Sequence, residues 1–97
     1  MPSYVLLGKY TPQGMSVIKD SPRRTESARK AIEAAGGRLG EFYLTMGQYD
    51  FVTVIEAPDD ETLASVLLAI ASSGNITTET LRAFSEEERR QIVSKMP

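Results

Sequence analysis

The chain has 97 residues, the length of one domain, and its composition, with 41% hydrophobic and 25% charged residues, is ordinary for a globular protein. Eleven basic residues against thirteen acidic ones leave a net charge of −2, which excludes a general attraction to nucleic acid or to an anionic membrane surface. Cys and His are absent, which excludes disulfides, thiolate nucleophiles, Cys-ligated metals and imidazole general bases.

The first part of the chain predicts a strand followed by a helix. Residues 4–10 are β-prone and end in a turn, and residues 15–19 have the length of one helical turn. Ser21 fits the N-cap of a longer helix and Pro22 its first position, where a missing N–H costs nothing. Small or apolar residues follow at helical spacing, namely Ala28, Ala31, Ile32 and Ala35. Gly36-Gly37 ends this helix, because glycine readily adopts the positive φ of a helix C-terminus.

The second part predicts a hairpin, a helix, a strand and a terminal helix. The segments 38–46 and 50–57 predict two strands, and their short connection requires an antiparallel hairpin. A helix begins at Pro58, with acidic residues in its first turn. Its expected buried residues are Leu63, Val66, Leu67 and Ile70. The Thr-rich segment 76–84 predicts the fourth strand, and Ser85 predicts the N-cap of the terminal helix.

This order of elements, β-α-β-β-α-β with a C-terminal helix, predicts an α+β domain with the ferredoxin-like fold over residues 1–97. Two right-handed crossovers that share one sheet give the strand order 2-3-1-4 and place both helices on one face. We also expect the first and third strands to run parallel, which puts segments 10–14 and 47–50 at opposite ends of the sheet. An antiparallel partner chain would then bring these segments together across an interface.

The sheet face without helices is expected to be apolar. The first strand carries Tyr4 and Leu6 on one side and Val5 and Leu7 on the other, so either side could face the helices. Large exposed apolar patches are rare on monomers. The pattern therefore predicts self-association, as a homodimer or as a trimer or larger ring. The alternative is a monomer whose open face is diluted by threonines, which are Thr53, Thr78 and Thr80.

Five segments along the chain are similar to those of one protein family. They are Tyr10-Thr11-Pro12-Gln13-Gly14, Asp20-Ser21-Pro22-Arg23, Gly36-Gly37, Gly47-Gln48-Tyr49-Asp50 and Thr80-Leu81-Arg82-Ala83-Phe84. In these segments the chain resembles the GYD-domain family, named for a Gly-(x)-Tyr-Asp motif, over nearly its whole length. The resemblance implies a ferredoxin-like domain of the dimeric α/β-barrel type. It implies no mechanism.

The turn before the third strand is the first candidate site. Tyr49 offers an apolar ring with a polar tip, and Asp50 is able to bind a polar ligand group or to cap the turn through backbone N–H groups. Asp50 would act as a general base only if desolvation raised its pKa. A second polar cluster lies where the first strand ends. The candidate ligand-binding residues from both regions and the neighbouring strand are Tyr10, Gln13, Tyr43, Gln48, Tyr49, Asp50 and Phe51.

Other charged groups carry weaker predictions. Arg23 and Arg24 lie in the first turn of a helix, where the dipole disfavours cations, and they favour either an anionic ligand or a solvated face. The acidic cluster that begins at Asp59 is explained by its helix start, so we expect neither a metal nor another cofactor. An RNA-binding reading of residues 49–52 is disfavoured by Met46, where a basic residue is expected, and by Asp50.

Several functions remain open from the sequence. The first is an oligomeric module that binds or senses a small molecule, and a purely structural assembly unit without a ligand is a further possibility. The alternative is a cofactor-independent α/β-barrel enzyme that acts on a small organic molecule, with Asp50 and Tyr49 at its site. We expect no nucleic-acid partner and no membrane partner. A cytoplasmic location is expected, because no apolar run approaches the roughly 20 residues of a membrane span and the N-terminus lacks a signal-peptide pattern.

Overall fold

The computed structural model describes residues 1–97 as one four-stranded antiparallel sheet with two long helices on one face. The strand order is β2-β3-β1-β4, which confirms the predicted ferredoxin-like topology. In chain order the elements are β1 (Ser3–Tyr10), α1 (Pro12–Ser16), a 3₁₀ turn (Ile18–Asp20), α2 (Ser21–Ala34), β2 (Arg38–Leu44), β3 (Phe51–Glu56), α3 (Asp60–Ala71), β4 (Ile76–Ala83) and α4 (Glu86–Ser94). None of the helices combines the length and apolarity that a membrane crossing requires.

The expected direction of β3 was wrong, because β1 and β3 are antiparallel, with Ser3 opposite Glu56 and Gly8 opposite Phe51. The crossover through α2 makes β2 run parallel to β1, and the hairpin then reverses β3. The end of β1 and the start of β3 therefore lie at the same end of the sheet. Segments 10–14 and 47–50 meet within a single chain and need no partner to bring them together.

The short helix α1 starts earlier than the predicted turn at residues 15–19. Thr11 is its N-cap and accepts a hydrogen bond from the Gly14 N–H at 3.0 Å, while Pro12 takes the first helical position. The next helix, α2, follows directly from the 3₁₀ turn, so Ser21 lies inside it and Asp20 is the N-cap. The expected pattern, an N-cap hydroxyl followed by proline at the first helical position, is therefore found at Thr11-Pro12 in α1 and not at Ser21-Pro22.

The core lies between the sheet and the helices. Its eight buried apolar residues are Tyr4, Leu6, Ile32, Leu39, Phe51, Ile55, Ala57 and Leu63. The even positions of β1 and the odd positions of β3 therefore face the helices. Thr53 also lies on this side, 1% exposed, and its hydroxyl donates to the Glu41 carbonyl at 2.8 Å. Thr78 and Thr80 pair with Gly8 and Leu6, so they too are on the helix side. Thr53, Thr78 and Thr80 therefore do not make the open face more polar, which contradicts the alternative of a threonine-lined open face.

The terminal helix α4 projects from the body of the domain. It has no buried residue, and Ile92 and Val93 are about half exposed. Its N-terminus has the predicted capping box, in which Ser85 and Glu88 exchange side-chain and backbone hydrogen bonds. The molecule is accordingly elongated, with principal extents of 51 × 31 × 19 Å. Local capping, rather than packing on the core, stabilises this helix.

We expect the N-cap of α3 to make the thermal stability of the protein pH-dependent. The Asp59 carboxylate accepts a hydrogen bond from the Thr62 N–H at 2.8 Å, and hydrogen bonding by Thr62 lowers the pKa of Asp59. A lowered folded-state pKa stabilises the fold fully above the unfolded pKa of about 3.9, and this contribution is lost as the pH falls through the folded pKa. Asp59→Ala should lower the Tm at neutral pH.

The difference in Tm between wild type and Asp59→Ala should shrink as the solution is acidified, which differential scanning calorimetry measures. Asp59→Asn is the matched control, because it keeps an oxygen acceptor for the Thr62 N–H and cannot titrate. A difference between wild type and Asp59→Ala that stays constant down to about pH 2.5 would contradict the role of this carboxylate.

Candidate functional site

Asp50 joins β3 to the end of β1. Its carboxylate accepts a hydrogen bond from the Tyr10 N–H at 2.9 Å, and its own N–H donates to the Gly8 carbonyl at 2.8 Å. The Asp50 carbonyl accepts from the Thr45 N–H at 2.8 Å, which closes the hairpin between β2 and β3. Asp50 thus continues the sheet hydrogen bonding past the last regular pair. The Asp of the Gly-(x)-Tyr-Asp motif therefore forms its hydrogen bonds with backbone groups of the neighbouring segments.

Gln13 and Thr11 hold α1 against the loop before β4. The Gln13 amide donates to the Ser73 carbonyl at 2.9 Å and to the Asn75 side chain at 3.1 Å. The Thr11 hydroxyl donates to the Gly74 carbonyl at 2.6 Å. The polar side chains of Thr11 and Gln13 are therefore engaged within the chain.

Tyr49 and Tyr43 lie on the open face of the sheet. The Tyr49 hydroxyl donates to the Glu79 carboxylate, and this hydrogen bond raises the pKa of Tyr49. The Lys9 ammonium lies 5.5 Å from the centre of the Tyr49 ring. Tyr43 pairs with Val52 and is 59% exposed. Gln48 is exposed beside Gly47, whose φ of +126° favours glycine.

A cavity of about 450 Å³ lies on the helix side, between the sheet and helices α2 and α3. Tyr10 and Phe51 are the two predicted site residues that line it. Their ring centres are 5.4 Å apart, and Phe42 stacks on Phe51 at 4.9 Å. The Phe51 ring passes over Gly8, where a Cβ would stand 1.9 Å from the ring. Sequence reasoning missed Phe42, whereas it had already singled out Arg23 and Arg24, which line this cavity from α2, as favouring an anionic ligand or a solvated face.

The seven predicted residues are thus divided among three places. Tyr10 and Phe51 reach the cavity, Tyr43 and Tyr49 reach the open face, and the others lie in or beside the connections between strands. For the alternative of an enzyme, Asp50 and Tyr49 were expected to act together. Their side chains have different partners, the Tyr10 N–H for Asp50 and Glu79 for Tyr49.

We expect Asp50→Ala to destabilise the protein by about 1–2 kcal/mol, because it leaves the half-buried Tyr10 N–H without its acceptor. Asp50→Asn keeps a side-chain oxygen at the same position and should lose less than half of that amount. Urea unfolding at a fixed protein concentration measures both values. Equal losses for the two variants would show that the carboxylate charge, rather than the hydrogen bond, carries the effect.

The open face has an apolar centre made of two cross-strand rows. The first row joins Leu81, Val5 and Val54, and the second joins Leu7, Val52 and Tyr43, with the charged Glu79 at its β4 end. Val54 on the central strand β3 is 47% exposed, and Leu81 on the edge strand β4 is 45% exposed. Charged groups surround the rows at both ends, with the Arg38–Glu56 ion pair of 2.8 Å at one end and Lys9 beside Tyr49 at the other. An apolar centre with a charged rim is the usual anatomy of a protein interface.

These features define a small ferredoxin-like α+β domain with one sheet face left bare. The chain belongs to the GYD domain family, which matches residues 4–93 and confirms the resemblance found in the sequence motifs. A relative from Thermus thermophilus, called "Glutamine synthetase and cystathionine beta-lyase binding protein", is 36% identical over 85 residues. The alignment covers 87% of this chain and 90% of that relative.

Two solved structures are similar to this fold. The crystal structure of TTHA0845, also from Thermus thermophilus, matches with a TM-score of 0.55 and 26% identity, over 88% of this chain and 95% of that one. The feast or famine regulatory protein from M. tuberculosis, solved in complex with L-methionine, matches with a TM-score of 0.66 and 16% identity. Here the match covers 88% of this chain but 51% of the regulatory protein. At 16% identity, the similarity to the regulatory protein shows only that the two proteins share a fold.

Proposed function

We propose that this GYD-domain protein is a homodimeric binding module of the cytoplasm that docks on a metabolic enzyme. The observation that carries the proposal is the apolar centre of the open sheet face. The relative named as a binding protein for two enzymes supports the choice of a protein partner. The cytoplasmic location in this proposal is the expectation drawn from the sequence, which has neither a membrane-span run nor a signal-peptide pattern.

The dimer would form by packing the two open faces against each other. Val5, Leu7 and Val52 are only partly covered by their neighbours, and Val54 and Leu81 are about half exposed. Burying such a half-exposed side chain is worth about 1 kcal/mol, and a two-fold interface counts every contact twice. Tyr43 and Tyr49 at the margin would contribute amphipathic rings of the kind enriched in interfaces.

The enzyme partner is inferred from the relative. The shared region is 90% of that protein, so the two chains correspond as whole domains. With the open faces joined, the outer sides of α2 and α3 and the projecting helix α4 stay accessible on each copy. The half-exposed Ile92 and Val93 on α4 have no buried contact in the chain itself and offer an apolar surface to a partner.

Isothermal titration calorimetry with purified glutamine synthetase and cystathionine beta-lyase from the same organism tests this proposal. We expect the wild-type protein to bind at least one of the two enzymes with a Kd of about 10 μM or tighter. Ile92→Ser should weaken the binding, whereas Leu68→Ser, which changes a 72% exposed leucine on α3, serves as the matched control. The absence of heat for both enzymes at about 100 μM would refute the partner assignment.

A further inference from the structure

The helix-side cavity lies on the opposite face of the sheet from the proposed dimer interface, so it is available whether or not the chain dimerises. Its volume of about 450 Å³ falls within the range of small-molecule pockets, which is about 300–1,000 Å³. It opens between α2 and α3, where small side chains such as Ala28 and Ser27 leave the space above the sheet unfilled. A space of this size is large enough to admit a small molecule.

The floor of the cavity is apolar and aromatic. Phe51 is its central residue, flanked by Tyr10 and Phe42 at 5.4 and 4.9 Å between ring centres. Three of the lining hydroxyls are engaged within the chain, because Thr53 donates to the Glu41 carbonyl, Thr25 to the Ser21 carbonyl and Ser73 to the Ile70 carbonyl. The hydroxyls of Tyr10, Ser21 and Ser27 make no hydrogen bond within the chain and could bind a polar group of a ligand. The three aromatic rings of the floor favour a flat apolar ring as the body of that ligand.

The mouth of the cavity is positively charged. Arg23 and Arg24 line it, and no Asp or Glu is among its lining residues. Both arginines share one carboxylate, Asp20, which pairs with Arg23 at 2.6 Å and with Arg24 at 3.3 Å. Two cations against one anion leave a positive charge unbalanced. The Arg24 side chain is 27% exposed against 71% for Arg23, so Arg24 is the cation held against the cavity.

We propose that this cavity binds a small aromatic carboxylate, with its ring on the Tyr10–Phe51–Phe42 floor and its carboxylate paired with Arg24. The excess positive charge of Arg23 and Arg24 over Asp20 favours an anionic ligand group. The aromatic rings of the floor favour a flat apolar ring in the same ligand. Arg24 lies in the first turn of α2, and Asp20, which it shares with Arg23, balances its charge only in part. The site does not use the open face or α4, and it is independent of the proposed protein partner.

Titration with naphthalene-1-carboxylate, followed by NMR shifts of the ¹⁵N-labelled protein and by calorimetry, tests the proposal. We expect one molecule bound per chain, with the largest shifts at cavity residues such as Leu6 and Thr53. The neutral analogue 1-naphthalenemethanol should bind about tenfold more weakly, because it lacks the charge-assisted contact. Arg24→Gln should reduce this preference to about twofold or less, and Arg90→Gln on α4 is the matched control.

A second pair of variants tests the location. Ala28→Phe places a ring in the cavity and should weaken naphthalene-1-carboxylate binding at least tenfold, whereas Ala64→Phe, an exposed position on α3 outside the cavity, should not. Leu81→Glu should leave the binding unchanged even if the dimer is lost. Equal affinity for the acid and the alcohol, an unaffected Ala28→Phe, or shifts confined to the open face or to α4 would overturn the proposal.

Discussion

Gly14→Ala is expected to lower the free energy of unfolding by about 3 kcal/mol, the upper part of the range for overpacked sites. Gly14 is buried where α1 meets the start of β4, and a Cβ at this position would stand 2.0 Å from the Asn75 carbonyl oxygen. That oxygen accepts the Thr11 N–H at 3.0 Å. Because the obstacle is backbone, the substitution must separate α1 from β4 or distort the hydrogen bond. Urea unfolding at fixed protein concentration measures the loss.

Ser16→Ala is the control within the same helix. Ser16 is exposed, and its hydroxyl donates only to the Gln13 carbonyl one turn earlier, so its loss should change the free energy of unfolding by less than about 0.5 kcal/mol. A Gly14→Ala protein as stable as Ser16→Ala would mean that the contact between α1 and β4 relaxes at no cost. The close approach at Gly14 would then have no structural importance.

If the open faces form the proposed dimer, Leu81→Glu is expected to convert it to monomers. Leu81 pairs with Val5 in the first apolar row, so the substitution puts a carboxylate inside the apolar part of the proposed interface. Burying an uncompensated charge costs about 3 kcal/mol or more, and two-fold symmetry introduces it twice. The dissociation constant of the dimer should rise more than about a thousandfold. Light scattering coupled to size-exclusion chromatography measures the mass directly.

Leu68→Glu provides the matched control for this substitution. Leu68 is 72% exposed on α3, on the other side of the sheet, so the same change of side chain there should leave the mass at twice the chain value of 10.7 kDa. The circular dichroism of both variants should show the wild-type content of helix and strand. If Leu81→Glu stays dimeric while Leu68→Glu dissociates, the helix side rather than the open face joins the copies.

The order of the elements was predictable from the sequence because local chemistry dictates it. Ser85 marks the start of α4 and Gly36 the end of α2, and short β-prone runs between turn residues mark the strands. The side of the sheet that faces the helices was not predictable, since Tyr4 and Leu6 are no more apolar than Val5 and Leu7. That choice depends on tertiary packing against Ile32 and Leu63, which no local pattern contains.

The arrangement of the candidate residues depended on the direction of β3. The predicted parallel pairing separated Tyr10 from Asp50, whereas the antiparallel pairing joins them by a hydrogen bond of 2.9 Å. The hairpin alone contained the information needed, because it reverses the chain after a parallel crossover. The cavity was harder to predict from the sequence than this pairing. Its sequence signal is the run of small residues in α2, such as Ala28, which line the cavity together with the aromatic Phe51.

Isotope-filtered NMR on a sample that mixes ¹³C-labelled with unlabelled chains examines the bare sheet face directly. If two copies join through that face, the methyl groups of Val5, Val54 and Leu81 will show cross-peaks that arise only between chains. Methyl groups on the outside of α3, such as Leu68, will show none. A sample without intermolecular cross-peaks at the three sheet residues, or with such peaks only at Leu68 or at Ile92 and Val93, would contradict dimerisation through the open face.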